Sequence, residues 1–506
     1  MENQTKKVVI IGAGIAGLSA GSYLARNGFN VEILEMHDIP GGQCTSWKKG
    51  KFTFDGCVHW LIGSKPGGYM NHLWNEVGAL DNTEIINHDR YSIIHFPDGQ
   101  TLTFYADPDK LEAELLRFSP GDKKEISNLV STIRKFSKIK MLNPDTQTRE
   151  KSFRDLFSLI GFLVKFIPLF KWIKISAREY GEKFIKPELG AAIRNLFAPD
   201  FAMIFNLFTF AWLAQGNAGY PAGGSLNFSK RIAANAEKHG ATIRYKSRVK
   251  KILVKNLNQT SAVTGVELEN GETINADYVI SAADGRTTVE QMLEGKFHHP
   301  KLKNAWDVLP PFDPLFYISL GLNGALDDPY SVSGSGIMLK EPFDIGGNKI
   351  DSLLLHNMAF DTTLAPPGKS VLEIMCTSNF DYWNDLRNES IEKYKKEKER
   401  IANEIITIID RDYFPGFKNK IEKMDIATPT TWAYYTGVYR GAFEGIQMTK
   451  DTMKVGMSLP KQLLGLDHFY LCGQWVEPGG GLPTALFSGK NVAAMITKSE
   501  NKKFVV

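Results

Sequence analysis

The amino-acid sequence predicts an α/β protein: a Rossmann-like βαβ dinucleotide-binding domain, discontinuous along the chain, with a second α+β domain. Three observations predict it. A strand, glycine turn, helix and strand open the chain, a segment of similar α/β character lies in its middle, and another closes it.

The opening run Lys7-Val8-Val9-Ile10-Ile11 is β-branched and stopped by glycine, as a buried parallel strand is. Ile15, Leu18, Ser19, Tyr23 and Leu24 then recur at helical spacing and end near Gly28, and Val31-Glu32-Ile33-Leu34-Glu35 reads as a second strand. In the middle, residues 225–239 predict a helix, and 242–254, 263–268 and 278–282 predict strands, with Asn270-Gly271 as a turn signal. At the end, 469–472 predicts a strand and 484–496 a helix. A chain of 506 residues exceeds one usual core. The expected division is therefore 1–90, 211–300 and 430–506 for the nucleotide domain, and 91–210 with 301–429 for a substrate domain.

Within the second domain, Leu156, Ile160, Leu163, Ile167 and Phe170 recur at helical spacing, interrupted by Lys165, Lys171 and Lys174. The apolar run is too short for a span of ~20 residues, and Pro168 kinks it. The stretch 153–175 is either a helix packed on its own core or a basic amphipathic helix at a membrane surface.

Composition excludes several classes. Hydrophobic residues at 43% and charged residues at 23% are ordinary for globular proteins. A net charge of +4 without a Lys/Arg run gives nucleic acid no footing. Cys44, Cys57, Cys376 and Cys472 form no Cys-x-x-Cys pair, and no His cluster has metal-ligand spacing. So few cysteines favour a reducing compartment, and the polar start does not read as an export signal. The expected location is cytoplasmic, with peripheral contact at the inner face of the membrane as a further expectation.

The chemistry begins at Gly12-Ala13-Gly14-Ile15-Ala16-Gly17, a G-x-G-x-x-G between the first strand and helix. Gly12 allows the tight turn, Gly14 lets backbone approach a pyrophosphate, and Gly17 lets the helix pack on the strand. The helix N-terminus meets the negative charges with unpaired N–H groups. With 45 glycines in the chain, roughly 0.3 such matches arise by chance, so context decides. Glu35 ends the next strand 21 positions after Gly14, where a carboxylate accepts hydrogen bonds from adenosine ribose hydroxyls.

Further motifs separate FAD from NAD. Pro40-Gly41-Gly42-Gln43-Cys44 follows the Glu35 strand, and Phe52-Thr53-Phe54-Asp55-Gly56-Cys57-Val58-His59-Trp60 comes next. Tyr220-Pro221-Ala222-Gly223-Gly224, Ala365-Pro366-Pro367-Gly368 and Leu471-Cys472-Gly473-Gln474-Trp475 follow, and then Gly479-Gly480-Gly481-Leu482-Pro483-Thr484-Ala485. Together they resemble the phytoene desaturase, carotenoid isomerase and retinol saturase family of FAD-dependent oxidoreductases, two-dinucleotide-binding-domain flavoproteins. Gln43 stands where that family usually has a basic residue. The likeness covers both termini and the middle segment well, and 91–210 and 301–429 poorly.

The resemblance implies FAD, held by Gly12, Ala13, Gly14, Ala16, Gly17, Glu35, Gly41, Gly42, Gln43, Val249, Gly473, Gln474, Gly481, Leu482, Pro483, Thr484 and Ala485. It implies desaturation, saturation or isomerisation of a carotenoid- or retinoid-like lipid, with the electron partner open. A helix starting near Thr484 would aim its positive end at the flavin N1–C2=O edge and favour the reduced state.

His59 is the first candidate for a proton donor or relay, on the ground that histidine titrates near neutrality; the competing role is a bond to cofactor or backbone. Asp55 is expected to be structural. Tyr434, Tyr435 and Tyr439 are candidates to line the cavity. The aromatic run from Leu196 to Trp212 is either a tunnel wall or a buried core helix. Two rival readings share the scaffold. A flavin amine oxidase would need a lysine near flavin N5, and none is identified. A prenyl-lipid escort protein would need no intact flavin motifs.

Overall fold

The computed structural model describes residues 5–139, 169–257, 259–326, 332–456 and 458–506. The first strand, β1 (Lys7–Ile11), leads through α1 (Ile15–Arg26) to β2 (Asn30–Leu34). These sit in a five-stranded parallel sheet ordered Thr242–Arg244, β2, β1, Tyr278–Ser281, Phe469–Leu471. Three segments far apart in sequence thus build one sheet.

Alternation along β1 explains its layers. Val8 and Ile10 point into a cluster with Leu18, Tyr23 and Leu24 of α1 and Leu486, Val492 and Ile496 of the helix Gly481–Ser499. Val9 and Ile11 face the other way, into a cluster with Ile252, Val263 and Val266 of the antiparallel strands Val249–Asn256 and Ser261–Leu268. Every β1 position beyond Lys7 is buried, as befits a strand covered on both faces.

The expected strand 242–254 is two strands in different sheets. Thr242–Arg244 pairs with β2, and Val249–Asn256 departs for the antiparallel sheet. Between them Lys246 takes φ +53°. Its N–H donates to His37 O at 2.9 Å and that of Ser247 to Glu35 O at 2.8 Å, so the chain turns around the end of β2. The last helix begins at Gly481, three residues before the expected 484. Pro483 is tolerated there because N–H groups of a first helical turn have no intrahelical partner. This helix and α1 cross closely: a Cβ at Gly489 would collide with Ala16 O, and Ser19 Oγ donates to Leu486 O at 2.8 Å.

Beside this layer stands a seven-stranded mixed sheet. Its order is Ile421–Ala427, Leu315–Asn323, Lys369–Thr377, Asn348–Asn357, Val332–Ile345, Arg90–His95, Thr101–Tyr105. Helix Ile391–Asp412 packs Ile401, Ile405 and Ile409 against it. Helices Pro108–Phe118, Lys123–Phe136 and Met203–Ala214 pack with Leu102 and Phe104. Of the stretch 153–175, residues 153–168 lie outside the described residues, and Phe170–Ile173 is a short helix with Trp172 buried. No helix among the described residues is long and apolar enough to cross a membrane.

A candidate cofactor cleft joined to an apolar cavity

The fingerprint glycines divide by what surrounds them. Gly12 takes φ +98° and donates to Leu34 O at 2.8 Å, closing the turn. A Cβ at Gly17 would collide with Gly12 O. At Gly14 the space is open: a Cβ there would meet nothing nearer than Gly41 O at 3.9 Å. Gly41 N–H donates to Ala13 O at 2.8 Å, and the Gly14–Gly41 bridge lays the second glycine pair along the first. Glu35 Oε2 accepts from Ala13 N–H at 2.7 Å, and Oε1 from His37 N–H at 2.9 Å.

The C-terminal motif arrives on the same side. Gly473, at φ +103°, would set a Cβ 3.5 Å from that of Ala16, and its N–H donates to Ser488 Oγ. Gln474 Nε2 donates to Gln43 Oε1 at 3.0 Å, and Gln43 Nε2 to Ala442 O at 2.8 Å. Gln43 is thus a brace between distant loops. Gly481, Leu482, Pro483, Thr484 and Ala485 form the first turn of the last helix. That helix and α1 both begin without a side-chain cap or an acidic residue in the first turn, which leaves N–H donors for an electronegative partner. Open space at Gly14, a ribose-type carboxylate and two uncapped helix N-termini fit a dinucleotide flavin. Val249 opens its strand with its side chain in the apolar cluster beneath the sheet, so only its backbone is left to face a cofactor.

A cavity of about 1660 Å³ adjoins the loop Gly479–Gly481. Ordinary small-molecule sites hold roughly 300–1,000 Å³. Phe197, Phe201, Phe205, Trp212, Phe312 and Phe443 contribute to its lining. The aromatic run resolves into two faces: Phe205, Thr209 and Trp212 line the cavity, while Ile204, Leu207 and Phe210 enter the core. Both expectations for that run hold, on opposite sides of one helix. Tyr434 and Tyr435 are exposed at 63% and 54% and do not line the cavity. Tyr439 packs on Trp475 instead.

His59 lines the cavity and stacks on His356 at 3.6 Å between centroids. Burial pushes its imidazole down to about 4. This corrects the expectation of a histidine titrating near neutrality: removal from water penalises the cation. At neutral pH His59 is therefore an uncharged ring.

Glu444 was missed by sequence reasoning. It lines the cavity with its carboxylate against Gly480, and burial raises that carboxyl to about 7. No motif spacing marks it; only the fold carries it to the glycine loop.

Asp55 proves a structural hub. It accepts from Ser225 N–H and Oγ, from Ser46 Oγ at 3.0 Å and from Cys57 N–H at 3.1 Å. Its own N–H donates to Glu373 Oε1 at 3.2 Å. Burial lifts both carboxyls, that of Glu373 well above 4.5. The folded chain therefore keeps a proton on Glu373 that the unfolded chain releases, so this group's stabilisation is present below pH 4.5 and lost as pH rises. Glu373→Gln, whose amide mimics the protonated acid, is expected to raise Tm at pH 8 and to change little at pH 4. Thermal melts at both values check it.

The sequence profile of the family described as "flavin containing amine oxidoreductase" matches residues 15–497. Chloroplastic prolycopene isomerase of Daucus carota is 27% identical, over 95% of this chain and 78% of the relative. A neurosporene-forming phytoene desaturase of Rhodobacter capsulatus is 27% identical, over 97% and 94%. All-trans-retinol 13,14-reductase of Danio rerio is 24% identical, over 92% and 82%. Among solved structures, an oxidoreductase from Methanosarcina mazei gives a TM-score of 0.58 at 18% identity, covering 96% of this chain and 99% of that one. Cyclohexylamine oxidase from Brevibacterium oxydans gives 0.58 at 13%, covering 98% and 100%; these two likenesses speak for the fold. A match across nearly the whole length, on a sheet that unites the glycine motifs, shows that the chain belongs to the flavin containing amine oxidoreductase family, as an oxidoreductase whose cofactor is FAD.

Proposed function

We propose that this FAD-dependent oxidoreductase acts on C–C or C=C bonds of a hydrophobic polyene or isoprenoid lipid, by desaturation, saturation or isomerisation. The observation that carries this is the cavity: about 1660 Å³, walled by aromatic rings and opening beside the Gly479–Gly481 loop. The names of the relatives from Daucus carota, Rhodobacter capsulatus and Danio rerio point to the same substrate class.

In this reading residues 1–90, 211–300 and 430–506 form the FAD domain, and 91–210 with 301–429 the substrate domain. Gly12, Ala13, Gly14, Ala16, Gly17, Gly41 and Gly42 would hold the pyrophosphate, and Glu35 would accept from the adenosine ribose, with the Val249 backbone beside the adenine. Gly473, Gln474 and Gln43 would serve the ribityl region, and the helix N-terminus built by Gly481, Leu482, Pro483, Thr484 and Ala485 would serve the flavin ring. When bound, FAD supplies hydride acceptance or donation at N5. The aromatic walls exclude water and hold a conjugated chain extended, so that charge developing on carbon is delocalised along it. Such a lipid partitions into bilayers, so the enzyme collects it by peripheral contact with a membrane surface.

Anaerobic spectroscopy with phytoene, prolycopene, all-trans-retinol and putrescine tests the reading. Desaturation bleaches the oxidised flavin, and saturation restores colour after dithionite reduction. Isomerisation shifts the lipid spectrum alone. Bleaching by putrescine, with every lipid inert, would favour the amine oxidase reading and end this one. His59→Ala is expected to keep stoichiometric FAD and slow lipid turnover. Its pH profile from 5 to 8 should match the parent's, because the ring is already neutral there.

A further inference from the structure

We propose that Glu444 is the group that exchanges the proton with the reacting lipid, its carboxylate standing in the cavity wall at the glycine loop. The role rests on the lipid reading above and deepens it.

Three fastenings set the position. Phe312 N–H donates to Gly445 O at 3.0 Å, and the short bridges Pro311–Ile446 and Pro314–Ala442 flank the residue. Gly445 lies so close to Gln474 that a Cβ there would stand 2.5 Å from Gln474 O. Ala442 O takes the amide of Gln43. The segment carrying Glu444 is therefore clamped to both braces of the flavin cleft. Its Oε2 lies against Gly480, and Oε1 would stand 3.7 Å from a Cβ at Gly481. Phe201, Phe312 and Phe443 form a run of edge-on rings, at 5.3 Å and 6.4 Å between centroids, that reaches the residue next to Glu444. An apolar passage thus ends at one carboxyl, and among the described residues no hydrogen bond or ion pair occupies it.

The balance of the step is simple. In desaturation one carbon loses a hydride to the flavin, and the neighbouring C–H bond gives its proton to the Glu444 carboxylate and its electron pair to the new C=C bond. The lipid is oxidised by two electrons and the flavin reduced by two. Saturation reverses both transfers, with the carboxylic acid giving its proton to carbon. Burial holds the carboxyl at about 7, so both forms are present near neutrality.

Other titratable groups around the cavity suit the task less. The Cys57 thiol, which interacts with Glu444, is held well above 9 by Cys44 and burial, and His59 is neutral. Asp313 is raised by burial but faces Gln447. Glu477 pairs with Lys461, and Lys490 with Glu76. On its own segment, Arg440 pairs with Asp381, and Tyr439 packs on Trp475.

Infrared spectra of the FAD-loaded protein without lipid give a readout apart from activity. A protonated-carboxyl band that fades as pH rises through about 7, and is missing from Glu444→Gln, is expected. With phytoene or all-trans-retinol, the Gln variant should lose about 10²–10⁴ in kcat at unchanged KM and FAD content. Glu444→Asp, which keeps the acid, should recover part of that loss. A parental rate in the Gln variant, or a carboxyl-band titration in it identical to the parent's, overturns the proposal. Inactivity of the unsubstituted protein on every lipid, with bleaching by putrescine, overturns the lipid reading and this role together; the parent's own behaviour tells that case apart.

Discussion

A valine at Gly14 is expected to yield a folded, colourless protein. Gly14 has φ −70° and ψ 173°, values any residue adopts, and the nearest atom to an added Cβ is Gly41 O at 3.9 Å. The backbone and the space around the added Cβ therefore tolerate a side chain in the apoprotein. The space it fills is the space a diphosphate would need, and FAD affinity should fall by more than about a hundredfold, or ~2.7 kcal/mol. Absorbance after desalting, alongside a thermal melt without added flavin, checks both halves. Stoichiometric FAD in the valine variant would move the pyrophosphate elsewhere. Gly17 is the contrast: a Cβ there would strike Gly12 O, so its substitution should damage the fold itself.

Asp55→Ala is expected to cost stability on the order of 3–5 kcal/mol. Four donors lose their acceptor at once: the N–H and hydroxyl of Ser225, the hydroxyl of Ser46 and the N–H of Cys57. All lie where the hairpin Ser46–Lys49 and Phe52–Asp55 meets the helix Gly224–Lys238. Tyr317, from the seven-stranded sheet, donates to Asp55 O at 2.8 Å, so the loosened joint is also where two sheets meet. Urea unfolding measures the loss; a midpoint within error of the parent would show that water satisfies those donors.

The parallel sheet was legible because its signals are local. Val8 to Ile11 are β-branched, glycine stops them, and Glu35 ends the next strand. Gly473 and Gly481 both take positive φ, a conformation that the glycine-rich terminal motif is suited to. Other features had no such mark. The turn at Lys246 contains neither Gly nor Pro, and its bonds reach Glu35 O and His37 O, just past the end of β2 and about two hundred positions earlier. The depression of His59 and the elevation of Glu444 arise from burial, which residue type alone does not report. Gln43, standing where the family usually has a basic residue, gave no sign of its bracing role because its partner, Gln474, lies 431 positions away.

The crossing of α1 with the helix Gly481–Ser499 bears on how the molecule is made. Ser19 waits for Leu486, 467 positions downstream. At roughly 5–20 residues per second, a ribosome needs on the order of 25–90 s to deliver it. Throughout that interval the emerging first βαβ unit lacks an edge strand and a covering helix, and its apolar face is open to chaperones or to aggregation.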